Sequence, residues 1–387
     1  MSQAVSFSTD FASRLENINK MLSAMADRDT KFLSMFLDLS NAVDSYYYEW
    51  DDKTLVGFKD VLVTTLSSTA TTTITVGSNI NVPKRYIDGT TTFRIDSEYM
   101  LVTSTITVAT LFTQLNVTRA ARGTTAATHA ANAQVIIVDA HRVEGFSAGR
   151  DDSQKGSRRF NYTQIYERQL ILTGTSQSVK AVGDEMKINK QAEDLTKELL
   201  KELQMSLIHG IRYTTNSAAP QDRTMGGFYY WATQGGGNNI NGSGNSIDTS
   251  MIDDVIENYL NRGGDADNLS MIVSLKQQRK LNDLKAGRII HGGMTQKDMS
   301  INNFVESYDF GGRAHVNVTY LTDLADDEVY FFDKSKVKVK PLQGRSWDRQ
   351  PLAKTGDSDK ELILGEYTTE FRNVYETLYR YYGLATV

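Results

Sequence analysis

The chain has 387 residues, a length that favours two or three folding units over one. Hydrophobic residues make up 40% and charged residues 23%, a globular balance that excludes wholesale disorder. The net charge of −5 argues against a strongly basic nucleic-acid-binding protein, and the lack of cysteine excludes disulfide scaffolds, cysteine zinc sites and thiol catalysis. No run of about 18 apolar residues occurs, so no membrane partner is expected.

The first segment with a clear pattern is residues 9–48, which we predict to be helical. Apolar residues recur there at helical spacing, in two runs separated by three charged residues. The runs contain Phe11, Leu15, Ile18, Leu22 and Met25, and then Phe32, Met35, Phe36 and Leu39. Two interpretations are open: a helical segment on the protein's own core, or an arm that contacts a neighbouring subunit.

Composition changes abruptly after Asp52. Residues 57–141 are rich in Thr, Val, Ile and Ala and poor in Lys and Glu, in runs such as VLVTTLSSTATTTITV. β-Branched residues in rough alternation are typical of short strands joined by small turns. We therefore predict an all-β module over this range that folds on its own.

The chain becomes polar and glycine-rich from residue 142, and it ends this stretch in a strand-like run. The first part lacks the apolar content to pack on itself, so we expect an extended loop held by something else. It carries a basic cluster of Arg150, Lys155, Arg158 and Arg159. A basic loop that cannot fold alone suggests contact with another chain, and we predict that carboxylates of an adjacent subunit pair with these four residues.

The strongest helical pattern spans residues 185–212. Its apolar face, at spacings of three and four, consists of Ile188, Ala192, Leu195, Leu199, Leu203 and Leu207. A helix of this length would be roughly 40 Å long. We expect it to form the spine of a domain.

Helices and short strands alternate irregularly in the remaining chain. Ser246 or Asp248 can cap a helix that ends at Gly263, and LSMIVS is typical of a buried strand. A hairpin is expected around Gly311 and Gly312. The final run, residues 366–382, fits either a helix or a strand, and its Tyr, Thr, Phe and Val content favours one long strand. The pattern as a whole predicts an α+β fold.

The sequence contains no recognisable catalytic or cofactor-binding motif. Phosphate-binding loops, the dinucleotide fingerprint and a nucleophile elbow are all missing. None of the five histidines lies three to five residues from another, which excludes a local zinc pair. We therefore predict no catalytic residues, no cofactor and no metal ligands.

One basic row is better formed. Lys334, Lys336, Lys338 and Lys340 alternate with other residues, a spacing that would place four ammonium groups on one face of a strand. Lysines of this kind keep an edge strand soluble. They can equally contact phosphate groups or an acidic neighbour, and the two interpretations have equal weight.

Several stretches, in this order, resemble the major capsid proteins of tailed bacteriophages, in the subgroup with an added β-domain before an extended loop. They are RDTKFLSMF (28–36), YYYEWDDKTL (46–55), NVTRAARGTTAATHAANAQVIIV (116–138), VEGFSAGRDDSQKGSRRFNYTQIYERQLILTGTSQSV (143–179), RTMGGFYYW (223–231) and LGEYTTEFRNVYETLYRYYGL near the C-terminus. The chain departs from that family at Ala120, Ala121 and Arg122, where the family more often has Gly and an aromatic residue.

The resemblance implies the Hong Kong-type (Johnson) capsid fold. The implied parts are an N-terminal arm (1–56), an inserted all-β domain on the outer surface of the shell (57–141), an extended loop (142–184), a peripheral domain with the spine helix (185–247), an axial domain (248–330) and C-terminal strands that return to the peripheral domain (331–387).

The same resemblance implies a function. Copies of the chain would assemble as hexamers and pentamers into an icosahedral head shell around double-stranded DNA, contacting the DNA without sequence specificity. Further expected partners are a portal and scaffolding or decoration proteins. The expected location is the virion, after assembly in the cytoplasm of a bacterial host.

Three other functions fit the sequence less well. A nanocompartment shell would share the fold, although the β-module argues against it. A carbohydrate-active hydrolase would need two carboxylates at a defined separation, and nothing in the sequence places such a pair. A tail or adhesin protein could use the β-module for binding, but the spine helix and the basic loop argue against that function.

Overall fold

The structure, a computed structural model, divides into two compact units. The main unit is Met1–Asp52 with Arg158–Val387, and the barrel unit is Lys53–Ser157. The residues that the structure describes are 31–53, 58–77, 89–108, 112–141, 144–145, 156–174, 188–215, 222–285, 307–310, 314–354 and 356–386.

All six described helices belong to the main unit. They are α1 (Lys31–Ser34), α2 (Ile188–His209), α3 (Phe228–Thr233), α4 (Thr249–Asn261), α5 (Leu275–Lys285) and α6 (Val374–Thr377). Short 3₁₀ turns occur at Ala121–Gly123 and Ala266–Asn268. With twenty strands beside these helices, the predicted α+β fold is confirmed.

The strands fall into two groups. The barrel unit contains β2 (Lys59–Leu62), β3 (Thr73–Gly77), β4 (Thr91–Ile95), β5 (Glu98–Val108), β6 (Phe112–Thr118) and β7 (Gln134–Ala140). The other strands are β1 (Tyr47–Asp52), β8 (Ser157–Tyr162), β9 (Gln164–Thr173), β10 (Tyr213–Thr214), β11 (Arg223–Thr224), β12 (Asn238–Asn241), β13 (Leu269–Ser274), β14 (Ser307–Phe310), β15 (Ala314–Leu321), β16 (Val329–Asp333), β17 (Val337–Pro341), β18 (Asp348–Leu352), β19 (Ser358–Phe371) and β20 (Leu378–Tyr382).

One half of the main unit is a six-stranded mixed sheet in the order β12-β20-β16-β13-β15-β14. The strand at its centre, β13, is buried along its whole length, as the apolar run LSMIVS predicts. Helix α4 packs on this sheet through Ile252, Val255 and Tyr259. The Asp248 side chain caps α4 by accepting the backbone N–H of Thr249, so the predicted start of the helix is confirmed.

The other half is a four-stranded sheet built around β19. Strands β17 and β18 pair with successive parts of β19 on one side, and β9 pairs with it over ten residues on the other. Helix α2 shares a core with this sheet through buried Leu199, Leu203 and Leu207. At 22 residues, α2 is about 33 Å long, close to the predicted spine helix.

The predicted helix over residues 9–48 is wrong for residues 35–48, and residues 9–30 lie outside the described part of the chain. After α1, the chain runs beside β17 and pairs with this region through two isolated β-bridges. They join Leu37 to Val339 and Val43 to Leu342, the residue after β17. Phe32 and Phe36 still bury their rings, against Phe228 and others. The apolar spacing therefore reflects contacts with several elements and not one helical face.

The prediction of one long C-terminal strand is wrong at its middle. β19 ends at Phe371, Asn373 adopts a left-handed conformation (φ 51°), and the short helix α6 follows. The chain then enters the six-stranded sheet as β20. One tyrosine-rich run thus supplies strands to both sheets.

The barrel unit is a closed six-stranded barrel in the order β2-β3-β6-β5-β4-β7, with β7 paired to β2. Alternate residues fill its interior with side chains, among them Val76, Phe93, Val102 and Leu115. A small barrel of this kind encloses a packed core of its own, and closure leaves no open strand edge.

Candidate functional site

The predicted basic loop is described only in part. Arg150 and Lys155 lie outside the described residues, while Arg158 and Arg159 lie on β8, which forms a two-stranded ladder with β1. Arg158 faces Glu49 and Asp51 of its own chain, with N···O distances of 3.8 Å, and its side chain is 77% exposed. Exposed pairs at this distance contribute little to stability. Pairing of Arg158 with an adjacent subunit stays a prediction.

Arg159 has a different environment. Its Nε lies 3.8 Å from Oδ2 of Asp52, whose side chain is buried at the end of β1. Burial raises the pKa of Asp52, although the backbone N–H of Asn373 and the charge of Arg159 act in the opposite direction. Asp52 Oδ1 and Arg159 Nε are buried, with no hydrogen-bond partner among the described residues. Arg159 therefore compensates a buried carboxylate inside its own chain.

Only two of the four lysines in the predicted row, Lys338 and Lys340, lie on a strand. β17 begins at Val337, so Lys334 and Lys336 lie in the turn before it, and the prediction of four ammonium groups on one strand face is wrong. Lys338 is exposed and lies 3.2 Å from Asp38 Oδ2. Lys340 is buried, and its Nζ lies 2.6 Å from Glu370 Oε2.

Lys340 and Glu370 belong to a buried network. Lys340 Nζ donates to the Tyr48 hydroxyl (2.8 Å), which in turn donates to Glu370 Oε2 (2.9 Å), and Arg372 pairs with the same carboxylate. Burial opposes the charged form of both partners. Hydrogen bonds from Lys340 and Arg372 nevertheless lower the pKa of Glu370, and the bond to Glu370 raises the pKa of Lys340. The pair is therefore ionised, and Lys340 is occupied within the chain.

A second buried carboxylate lies on the same strand face. Glu366 accepts hydrogen bonds from Thr163 Oγ1 (2.5 Å), Arg345 Nη1 (2.8 Å) and Arg223 Nη2 (3.1 Å). The opposite face of β19 buries Tyr367 and Phe371. Both faces of this end of β19 are thus buried, one against apolar groups and one against charges. The sequence pattern placed these two carboxylates on one strand face through their spacing of four, but their burial was not predicted from it.

The barrel unit buries a charged cluster around Glu98. Its partners Arg119 and His129 lie within the RAARGTTAATHA stretch that carries the family resemblance. Arg119 binds the Glu98 carboxylate through Nε and Nη2, both at 2.7 Å. His129 lies between two carboxylates, with Nε2 2.9 Å from Glu98 and Nδ1 2.7 Å from Asp96. Burial opposes the charge on Glu98, but bonds from Arg119, the Ala127 backbone and His129 hold its pKa at about 2.

This cluster explains the spacing of the motif. Arg119 and His129 anchor the two ends of a loop on one carboxylate, and the backbone N–H groups of Ala120 and Ala127 donate to it as well. The loop turns through left-handed conformations at Ala120 (φ 55°) and Arg122 (φ 59°). Glycine is favoured in that conformation, so Ala120 and Arg122 adopt it at a cost in backbone strain.

The described charged clusters are internal ion-pair networks. Among the described residues, no group of three His, Asp or Glu side chains is arranged to hold a metal ion. No described helix is long and apolar enough to cross a membrane. What the arrangement can do chemically is to hold strands from distant parts of the chain in register.

Comparisons with known proteins identify relatives. A family model described as SU10 major capsid protein matches residues 2–385. No curated protein matches the chain.

Three of the solved structures that match the chain come from phages. The satellite phage P4 procapsid is 10% identical, with 96% of this chain and 99% of that chain covered and a TM-score of 0.43. The Cyanophage A-1(L) capsid is 10% identical, with 64% and 85% covered and a TM-score of 0.44. Mycobacterium phage Cain is 10% identical, with 92% and 90% covered and a TM-score of 0.39.

Proposed function

The chain belongs to the SU10 major capsid protein family, and on that premise we propose that its copies form an icosahedral head shell enclosing double-stranded DNA. Family membership makes it a shell-forming capsid protein and confirms the resemblance read from the sequence. The observation that carries the proposal is the length of the match, which covers residues 2–385 and therefore both compact units. The work of such a protein is association, and we propose no catalytic activity.

The parts of the capsid fold are proposed for this chain as follows. Residues 1–56 are the arm, 57–141 the inserted β-domain, 142–184 the extended loop, 185–247 the peripheral domain, 248–330 the axial domain and 331–387 the returning strands. The two cores of the main unit support a peripheral and an axial part, because one surrounds α2 and β19 and the other surrounds α4 and β13. Strands β12 and β20 join the second of these cores, so they add to the axial part residues that the proposed bounds assign elsewhere. We propose that the β-domain lies on the outer face of the shell.

Contact with DNA is proposed to be weak and independent of sequence. Each copy in a shell meets different bases, so only phosphate groups offer a common target. A net charge of −5 argues against a strongly attractive lining, and Lys338 and Lys340 of the lysine row are paired within the chain. Lys334 and Lys336 are the members of the row for which no ion pair is seen within the described residues. Any DNA contact by them would weaken steeply with salt.

The remaining partners and the location are also proposals. Pentamers and hexamers of the chain, a portal, and scaffolding or decoration proteins follow from the family and from no feature of this chain alone. The same holds for the virion as its location and the host cytoplasm as the place of assembly.

Particle formation tests the proposed function. The purified chain is separated by size-exclusion chromatography, and the high-mass fraction is imaged by electron microscopy. We expect closed particles of uniform diameter, and particles from infected cells should protect DNA from nuclease. A stable monomer with glycosidase activity would contradict a shell, and particles that enclose a protein cargo without DNA would indicate a nanocompartment.

A further inference from the structure

The charged cluster of the barrel unit places the His129 ring between two carboxylates. The His129 side chain is 1% exposed, with Nδ1 2.7 Å from Oδ2 of Asp96 and Nε2 2.9 Å from Oε2 of Glu98. A neutral imidazole has one N–H group and one unprotonated nitrogen, whereas an ionised carboxylate only accepts hydrogen bonds. The two contacts together therefore need one proton more than a neutral ring and two ionised carboxylates carry.

The extra proton lies on the His129 ring. Glu98 is ionised, because its hydrogen bonds hold its pKa at about 2, so Nε2 donates to it. Asp96 is 64% exposed, and contact with water favours the ionised form of a carboxylate, so Nδ1 donates as well. In this geometry both ring nitrogens carry a hydrogen, and His129 is positively charged.

The charged ring joins three segments of the barrel unit. Asp96 lies in the two-residue turn between β4 and β5, in a left-handed conformation (φ 49°), and Glu98 is the first residue of β5. His129 ends the loop that begins at Arg119, and its backbone exchanges hydrogen bonds with Leu66 in both directions. The segment around Leu66, VLVTTLSSTATT, brings no titratable side chain to the cluster.

The two contacts of the ring differ in what else holds them. Glu98 is fully buried and also accepts hydrogen bonds from Arg119 and from the backbone N–H groups of Ala120 and Ala127. Asp96 is largely exposed, so water can replace the ring as its partner. Loss of one proton from the ring therefore releases Asp96 and leaves Glu98 in place.

We propose that His129 is a pH-sensitive switch in the barrel unit: the doubly protonated ring ties the β4–β5 turn to the 119–129 loop, and its contact with Asp96 opens when the ring loses a proton. The direction follows from proton linkage. The folded barrel holds a proton that an unfolded histidine releases at about pH 6.5, so the contact stabilises the barrel fully below that pH and loses this effect as the pH rises. This alkaline response goes beyond the proposed shell function and does not depend on it.

Amide hydrogen exchange of the full chain tests the switch. Exchange is measured by mass spectrometry at about pH 6 and about pH 9, which bracket the range where histidine loses its proton, and the rates are corrected for the intrinsic effect of pH. Peptides that cover Leu66 and the 119–129 loop should lose protection at least about tenfold at the higher pH, whereas those that cover β19 should change less than about twofold. Equal protection of the loop at both pH values would overturn the proposal.

Two aspartates provide a matched pair of variants. The barrel unit contains two histidines, and each faces an aspartate: His129 faces Asp96, and His141, whose side chain is 35% exposed, lies 3.9 Å from Asp139. Asp96→Asn presents an amide group that can donate to a neutral ring, so the contact no longer needs the second proton. Asparagine also tolerates the left-handed conformation of the turn. Asp139→Asn removes an exposed pair that lies beyond hydrogen-bond distance.

The two variants should respond differently to pH. The loss of protection at the higher pH should fall below about threefold in Asp96→Asn and should keep its parental size in Asp139→Asn. A role of Asp96 in packing alone would not remove the pH dependence. A full parental response in Asp96→Asn, or its disappearance in Asp139→Asn, would overturn the role of His129. If Asp96→Asn does not fold, the parental chain and Asp139→Asn at the two pH values still decide the proposal.

Discussion

Both units bury carboxylates against cationic and polar partners, but these partners lie at very different distances along the chain. In the barrel unit, Glu98 is held by Arg119 and His129, which follow it by 21 and 31 residues. In the main unit, Glu370 is held by Tyr48 and Lys340, and Tyr48 precedes it by 322 residues. The barrel is therefore stabilised by contacts between residues that are close in sequence, while the main unit is stabilised by contacts with its own N-terminal segment.

This difference has a consequence for folding. Contacts between residues close in sequence cost less loop-closure entropy than contacts between distant ones. We expect the barrel to fold without the main unit, and the main unit to need residues from both of its chain segments. The following variants should separate the two units.

The largest effect is expected at Lys340. Lys340→Ala leaves the buried Glu370 carboxylate with one fewer cation, and the loss of one partner of a buried pair costs about 3 kcal/mol of unfolding free energy. Denaturation of the full chain measures it. The control is Lys338→Ala, whose exposed pair with Asp38 should be worth less than about 1 kcal/mol. Equal losses in the two variants would show that the Lys340 pair is not buried as described.

The matching change in the barrel unit is acidification. The pKa of Glu98 is lowered from 4.5 to about 2, so its ion pairs stabilise the fold fully above pH 4.5 and lose that effect as the pH falls toward 2. We expect the barrel to lose stability across this window. Glu98→Gln should flatten the dependence, and its stability at pH 7 should be lower. An unchanged pH profile in that variant would exclude Glu98 as the responsible group.

A smaller effect separates the two arginines that sequence reasoning had grouped together. Arg159→Ala leaves the buried Asp52 without the cation 3.8 Å away and should cost about 1 kcal/mol. Arg158→Ala removes only exposed contacts and should cost less than about 0.5 kcal/mol. Both are measured by denaturation of the full chain. If Arg158→Ala also blocks particle formation while the subunit stays folded, the predicted contact of Arg158 with an adjacent subunit gains support.

The smallest effect concerns the barrel loop. Ala120 has a φ of 55°, a conformation that costs a residue with a Cβ about 1 kcal/mol. Ala120→Gly relieves that cost but frees the unfolded chain, so a net gain of about 0.5 kcal/mol is expected. Ala121→Gly, in a helical conformation, should instead destabilise. A loss of stability in both variants would contradict the strain at position 120.

Sequence reasoning predicted best where periodicity and burial agree. The alternating Thr- and Val-rich runs predicted an all-β insertion, and the leucine spacing predicted helix α2. The prediction failed where one segment packs against several different elements. Residues 35–48 have helical spacing, but their apolar groups contact different strands and helices, which no local pattern encodes.

The candidate sites were harder to predict than the fold. The basic residues were recognised, but their partners were not, because Asp38, Tyr48 and Glu370 are brought together only by the tertiary fold. The sequence does not distinguish a strand lysine that faces solvent, as Lys338 does, from one that faces a buried carboxylate, as Lys340 does. Charge patterns therefore indicated where cations lie and not what they bind.

Calorimetry of the full chain beside the isolated fragment 53–157 tests the separation of the two units most directly. We expect two transitions in the full chain, one of which coincides with the transition of the fragment. Lys340→Ala should lower only the other transition, and Glu98→Gln only the shared one. A fragment that does not fold, or variants that each lower both transitions together, would contradict the claim that the barrel is stabilised by its own local contacts.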